Sequence, residues 1–189
     1  MRFTTSKKNK KASNVSLILM LSAVVLFFFA ATGTGHGVAF IQLIGVLFLA
    51  GSAYFMMRAM TVYTYIIIPN DDSDKDARSL SPDKLSFIVS KRFGKGREVY
   101  QCQLDLSSLI SVKEFPADKN DRKKLLAPLE KVNLFRYDAT VGKHDSLLLV
   151  FHKRGQEKIC IVAEPVDGMY VYLKTVVGIN KEALKKEES

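Results

Sequence analysis

Histidine and cysteine are scarce in this sequence, which contains three histidines and two cysteines, Cys102 and Cys160. His144 and His152 can be grouped with Asp145 or Cys160, but no C-x-x-C or H-E-x-x-H spacing is present. Metal sites are usually recognised by such spacings. We therefore predict no metal site, and we interpret His152 as a surface residue at the end of a strand.

Sequence motifs of catalysis and of nucleotide binding are also absent. The pair Ser107-Ser108 is not surrounded by the Gly-x-Ser-x-Gly pattern of a hydrolase nucleophile. Gly94-Lys95-Gly96 is too short for a phosphate-binding loop and lacks its Lys-Ser/Thr ending. No recognition motif for nucleic acid is present either. We therefore expect a protein that is not an enzyme, uses no cofactor and does not bind nucleic acid.

Four aspartates, Asp72, Asp74, Asp76 and Asp83, fit positions 1, 3, 5 and 12 of a calcium-binding loop. The rest of that pattern is missing, because Ala77 stands where the motif has an invariant glycine, and position 12 is not a glutamate. A strand-like segment also precedes the aspartates, whereas the motif has a helix there. We therefore interpret this segment as a solvated acidic turn.

Charged residues are missing from two long apolar runs, Ser13–Ala31 and Gly37–Met57. Each run is long enough for a helix of about 30 Å, the thickness of the hydrocarbon core of a bilayer. We predict a transmembrane helical hairpin over residues 13–57. The alternative for the first run is a cleaved signal peptide, but its apolar core exceeds the usual length of about 7–15 residues. The small residues Ala50–Ala53 are compatible with close helix packing or with ordinary lipid contact.

Basic residues indicate how these helices are oriented. The net charge of the chain is +9, and five positive charges lie in the first eleven residues, in Arg2 and four lysines. The connection between the runs contains neither Lys nor Arg, whereas Arg58 follows the second run. Because basic residues remain on the cytoplasmic side, we expect both termini there, with residues 1–12 as a basic tail. In that reducing compartment, Cys102 and Cys160 are expected to be reduced core residues.

The rest of the chain, residues 61–179, is long enough for one domain with its own core. Seven segments show the alternation, or the short apolar run, that is typical of strands. They are Thr61–Ile68, Leu85–Ser90, Tyr100–Leu104, Leu109–Phe115, Phe135–Val141, Leu147–Phe151 and Ile159–Ala163. Turns are predicted around Gly94, Gly142 and Gly155.

Two helices are predicted in the same region. The apolar residues after Pro165 recur at the spacing of one helix face: Met169, Tyr172, Leu173 and Val176. A second, short helix is predicted at Asp121–Leu126. We expect Gly178 to end the packed part of the last helix, which leaves residues 180–189 as a charged tail.

Seven strands followed by one amphipathic helix is the element order of the pleckstrin-homology fold. The chain resembles small bacterial membrane proteins with an N-terminal transmembrane hairpin and a C-terminal pleckstrin-homology-like domain. The residues that carry the resemblance are Tyr63–Ile66, Phe87–Lys91 with Gly94–Arg97, Cys102–Leu106 followed by Ile110, and Ala163–Pro165 before Tyr172 and Leu173. The resemblance implies an α+β protein of a bacterial cell membrane, with a cytoplasmic seven-stranded antiparallel barrel capped by the last helix. It implies no catalytic residues.

Basic residues cluster in one predicted β-hairpin, at Lys91, Arg92, Lys95 and Arg97, with no acid between them. In lipid-binding pleckstrin-homology domains, such residues on a strand–loop–strand hairpin bind phosphorylated headgroups, Arg through its planar fork and Lys as a point charge. Here the hairpin joins the second and third strands rather than the first and second. We interpret the cluster as a solvated turn, or as a region attracted to anionic lipid headgroups of the inner leaflet, or as a specific headgroup site.

The expected role is that of a membrane-tethered binding or scaffolding module. Its partners would be the lipid bilayer and a protein that the sequence does not identify. The alternative is an accessory subunit of a transporter or export complex, in which the helical hairpin packs against a larger membrane protein.

Overall fold

The computed structural model describes residues 1–5, 10–35, 37–70, 80–129, 132–138, 146–152 and 157–187. The chain divides into two compact units, a pair of helices and an α+β unit that includes the first residues. Several predicted features lie outside the described residues: the acidic turn at Asp72, Asp74, Asp76 and Ala77, the residues His144 and Asp145, the turns around Gly142 and Gly155, and the last two residues of the charged tail.

The helix pair consists of α1 (Lys10–Thr32) and α2 (Gly37–Met60). Both helices are long and apolar enough to cross a membrane, as predicted. Only 17% of the most apolar part of α1 and 11% of that of α2 is buried inside the protein. Neither helix is therefore the buried core helix of a globular domain.

Small residues form the contact between α1 and α2. Ser16 Oγ donates a hydrogen bond to the carbonyl oxygen of Ser52 at 2.9 Å, and Ser52 Oγ donates to that of Ser16 at 2.9 Å. A Cβ atom on Gly51 would lie 3.3 Å from Leu19 Cδ1. Of the two interpretations of Ala50–Ala53, the structure favours close helix packing, in which small residues and reciprocal hydroxyl bonds let two backbones approach.

The first sheet has the strand order β1 (Arg2–Thr4), β2 (Thr61–Pro69), β3 (Leu85–Phe93) and β4 (Val99–Asp105). Strand β1 was not predicted, because three residues are too few for a recognisable alternation. It pairs antiparallel with β2, with Phe3 opposite Tyr65. Arg2–Thr4, which lies within the segment predicted as a basic tail, is therefore a strand of the α+β unit.

The second sheet has the order β5 (Leu109–Phe115), β7 (Ser146–His152), β8 (Lys158–Ala163) and β6 (Val132–Tyr137). Strand β7 lies inside this sheet and all its residues before His152 are buried, which explains its continuous apolar sequence. Strand β6 begins and ends earlier than the predicted Phe135–Val141, whose last three residues lie outside the described part.

The predicted seven-stranded antiparallel barrel differs from the observed topology. The described residues form two sheets of four strands each, and these residues do not close a barrel. One reason is that β4 and β5 are both edge strands, joined by a 3-10 turn at Leu106–Ser108 instead of a shared ladder. The other is that β6 pairs parallel to β8. Such pairing links strands that are distant in sequence, and the alternation within each strand does not indicate it.

Aromatic rings fill the core between the sheets. The ring of Phe87 lies 6.1 Å from that of Tyr65 and 6.0 Å from that of Phe151, centroid to centroid. Helix α3 (Lys119–Leu126) lies near the predicted position. Leu125 and Leu126 at its end pack against a second cluster that includes Phe115, Leu148 and Val150.

The last helix, α4 (Met169–Glu187), is longer than predicted. It buries the predicted face, including Met169, Leu173 and Val176. The helix does not end its packed part at Gly178, because the Asn180 side-chain amide donates to the carbonyl oxygens of Leu106 and Leu109, both at 2.9 Å. The charged segment after it is also helical up to Glu187.

Candidate binding surfaces

The described residues contain no group of three His, Cys, Asp or Glu side chains that could hold a metal ion. His152 lies exposed at the end of β7. The Ser108 hydroxyl donates to the carbonyl oxygen of Asp105 at 2.6 Å, so it serves the turn between β4 and β5. The structure brings none of these side chains into a catalytic arrangement within the described part of the chain.

Neither cysteine takes part in a disulfide. Cys160 is buried in β8, whereas Cys102 in β4 is half-buried. Burial raises the pKa of both thiols above the ordinary value. Since the thiolate is the reactive form, both residues are weak nucleophiles at neutral pH.

The basic hairpin consists of the end of β3, the start of β4 and the turn between them, and it carries Lys91, Arg92, Lys95 and Arg97. Glycines shape its turn. Gly94 has a φ of 56°, which favours glycine. A Cβ on Gly96 would lie 2.9 Å from the carbonyl oxygen of Phe93, which accepts the hydrogen bond of the Gly96 amide. The backbone of this turn therefore has a specific conformation, which depends on Gly94 and Gly96.

The structure brings the four predicted basic residues together on this hairpin. Lys95 and Arg97 are exposed in and after the turn, and Lys91 and Arg92 are half-buried at the end of β3. The Nε atom of Arg92 is buried and has no hydrogen-bond partner among the described residues. The four cations thus lie within one β-hairpin, and their contact with lipid stays a prediction.

Exposed apolar side chains lie beside these cations, a feature that the sequence analysis missed. Phe93 is 48% exposed, Val99 58% and Tyr100 54%. Lys91 is opposite Val99 in the β3–β4 ladder, and Phe93 follows Lys91 by two residues, so the three side chains share one face. The sequence signal was available, since three apolar residues flank the basic turn.

One acidic residue lies at the base of the basic hairpin. Glu98 forms an ion pair with Arg2 of β1. Its carboxylate also accepts hydrogen bonds from the hydroxyls of Ser90, at 3.4 Å, and Thr64, at 3.5 Å. Glu98 therefore connects β1, β2 and β3 to the start of β4. Its ion pair is made with Arg2 and not with one of the four basic residues of the hairpin.

A second candidate surface is the groove between β5 and α4, which we call the β5–α4 groove. Its volume is about 710 Å³. It is lined on one side by Ser111, Val112 and Lys113, and on the other by one face of α4 from Tyr170 to Lys181. The sequence analysis did not identify this groove, because it depends on the packing of α4 beside the edge of the second sheet.

Comparisons of the chain with protein-family models, with curated proteins and with solved structures find no match.

Proposed function

We propose that this chain is a membrane-tethered binding module. Its two helices would cross a bacterial cell membrane, and its α+β unit, pleckstrin-homology-like in element order, would lie at the cytoplasmic face. The basic hairpin would contact anionic lipid headgroups of the inner leaflet. The observation that carries this proposal is the combination, on one hairpin, of four cations with exposed apolar side chains.

The helix pair supports the tethering. Large apolar side chains cover the outer surfaces of both helices, among them Leu17, Phe28, Phe40 and Leu47, each more than half exposed. An apolar surface of this extent is stable in lipid and unstable in water.

Strand β1 supports two spans rather than a cleaved signal peptide. It precedes both helices in sequence, yet it pairs with β2, which follows them. A chain that crosses the membrane twice returns to the side from which it started, so this pairing is compatible with two spans. Cleavage after the first helix would instead remove a strand of the first sheet.

The pleckstrin-homology-like assignment is supported by the order of the elements. Two sheets enclose an aromatic core, and α4 packs against them with its apolar face. The extra strand β1 and the parallel pair β6–β8 depart from the pattern that the resemblance implies.

The basic hairpin supports contact with anionic lipid. Lysine and arginine near an anionic leaflet each contribute about 1 kcal/mol to membrane attraction. The apolar residues Phe93 and Val99 are placed to enter the interface while Lys91 extends its charge towards headgroups. Tyr100 is of a type enriched at membrane interfaces. Because two helices already anchor the chain, the hairpin would orient the α+β unit rather than attach it.

A single tryptophan tests this contact. The chain contains no tryptophan, so Phe93→Trp introduces one indole at the tip of the basic hairpin. In full-length protein reconstituted in lipid nanodiscs, we expect its emission to shift to shorter wavelength when anionic lipid replaces neutral lipid. The shift should fade at high salt, where the Debye length falls from about 10 Å at 0.1 M to about 3 Å at 1 M.

Two further variants control this experiment. Changing Lys91, Arg92, Lys95 and Arg97 to Gln in the Phe93→Trp protein should abolish the shift. Phe135→Trp is the matched control, because Phe135 on β6 is 47% exposed and lies outside the basic hairpin. It should not respond to lipid charge. If the emission wavelength of the Phe93→Trp protein were equal in neutral and anionic nanodiscs, the basic hairpin would be a solvated turn without contact to anionic lipid.

The alternative role, an accessory subunit, is tested separately by purification in mild detergent. A membrane protein that copurifies in fixed stoichiometry with α1 and α2 alone would favour the accessory subunit. Retention of partners only through the α+β unit would favour the binding module.

A further inference from the structure

The β5–α4 groove runs along the edge of a sheet. Strand β5 pairs with β7 on one side and is the last strand of the second sheet on the other. Three consecutive residues, Ser111, Val112 and Lys113, line the groove. Successive side chains of a strand point to opposite faces, so a lining of three consecutive residues fits a groove along the outer edge of β5.

The charge of the groove is entirely positive. Its lining contains Lys113 from β5 and Lys174 and Lys181 from α4, and no acidic residue among the described ones. Lys174 Nζ lies 5.0 Å from the centroid of the Tyr170 ring, which is also part of the lining. A ligand that fits this surface carries negative charge and has apolar groups as well.

Two residues of α4, Val171 and Gly178, have no evident role in the internal packing of the fold. Val171 is 68% exposed although it is apolar. Gly178 lies within the helix, where glycine is less favourable than alanine. A Cβ on Gly178 would have no atom within 4 Å, so internal packing does not require glycine. Both residues line the groove, and the absence of a side chain at Gly178 leaves space for an approaching backbone.

We propose that the β5–α4 groove binds an extended acidic peptide segment of a partner protein, which adds to the sheet beside β5. An edge strand offers unpaired backbone N–H and C=O groups, and peptides bind such edges through main-chain hydrogen bonds. Lys113, Lys174 and Lys181 would select acidic side chains, and Val171 would contact an apolar one. This proposal extends the binding module to a second surface and does not depend on lipid contact by the basic hairpin.

The test uses the full-length protein in detergent and a fluorescent peptide of alternating glutamate and valine, with binding followed by anisotropy. Two control peptides are matched in length. In one, lysine replaces glutamate; in the other, a central proline replaces valine and so removes a backbone N–H. We expect the acidic peptide to bind and both controls to bind at least about tenfold more weakly, which corresponds to about 1.4 kcal/mol.

Variants of the groove locate the binding. Lys113→Glu and Lys174→Glu should each weaken binding about fivefold, which corresponds to the loss of an ion pair of about 1 kcal/mol. Gly178→Trp should abolish binding by filling the groove, whereas Gly178→Ala should retain most of it. Lys185→Glu is the matched control on α4, because Lys185 is exposed and does not line the groove. It should leave binding unchanged.

Several outcomes would overturn the proposal. Equal binding of the acidic and proline peptides would indicate charge attraction without strand addition. Unchanged binding by both Lys174→Glu and Gly178→Trp would place the peptide elsewhere, and Lys174→Glu decides this even if Gly178→Trp does not fold. Displacement of the peptide by anionic vesicles, with loss of vesicle binding in Lys174→Glu, would make the groove a lipid site. The variant with four Gln residues in the basic hairpin should bind the peptide normally. Failure of the lipid proposal can therefore be distinguished from failure of the peptide proposal.

Discussion

The hydroxyl group of Tyr65 joins the two sheets of the α+β unit. It donates a hydrogen bond to the carbonyl oxygen of Tyr137 at 2.8 Å and accepts one from the Glu164 amide at 2.8 Å. Its ring stacks on Phe87 in the core. Burial of a hydroxyl group is unfavourable unless it is hydrogen-bonded, and here the bonds are made to the backbone of β6 and of the residue that follows β8.

Two tyrosines should make the α+β unit sensitive to high pH. Burial raises the pKa of Tyr137 from 10.0 to about 12, and the nearby Cys102 makes a smaller contribution. Burial also raises the pKa of Tyr65. Because the folded state holds these protons more tightly than the unfolded state, their contribution to stability is complete below pH 10 and is lost as the pH rises towards 12. Ultraviolet titration should show late-ionising tyrosines, Tyr65 and Tyr137 among them, together with a fall in melting temperature above pH 10.

Tyr137→Phe provides the control for this prediction. It should remove one late-ionising group and reduce the alkaline loss of stability. Ionisation of every tyrosine at the same pH in the folded protein would contradict the described environment of Tyr65 and Tyr137.

At the scale of the elements, the packing of α4 against the rest of the α+β unit can be tested by substitution. Leu173 is fully buried on its inner face. Leu173→Asp would place an unpaired charge there, so we expect a loss of more than about 4 kcal/mol and unfolding of the α+β unit. Ala183→Asp changes an exposed residue of the same helix and should alter stability by no more than about 0.5 kcal/mol.

Limited proteolysis of the full-length protein in detergent measures this difference, because α1 and α2 remain helical in detergent and would dominate circular dichroism. Equal protease resistance of the two variants would contradict the packing of α4.

The elements differ in how well the sequence predicts them. Strands such as Leu109–Phe115 were found with correct bounds. Strand β1 was missed because Arg2–Thr4 is short. The parallel pairing of β6 with β8 and the β5–α4 groove arise from contacts between distant segments, which no local pattern encodes. For the basic hairpin, the sequence predicted the four cations, whereas the ion pair of Glu98 with Arg2 required the structure.

For the whole molecule, the segment before the helices has two parts. Arg2–Thr4 completes the first sheet, while Lys10 and Lys11 begin α1. A fragment that starts near Met60 would therefore lack β1 and expose β2 as an edge strand, which favours association with other chains. Functional tests therefore require the full chain.

Cysteine labelling in intact cells tests the proposal that the α+β unit lies on the cytoplasmic side of the membrane. Thr34→Cys lies between α1 and α2, and Lys95→Cys lies at the tip of the basic hairpin. Both positions are exposed, so a membrane-impermeant maleimide can reach either one if it faces outward. We expect Thr34→Cys to be labelled in intact cells and Lys95→Cys only after permeabilisation. Labelling of Lys95→Cys in intact cells would contradict the orientation and, with it, contact of the hairpin with the inner leaflet.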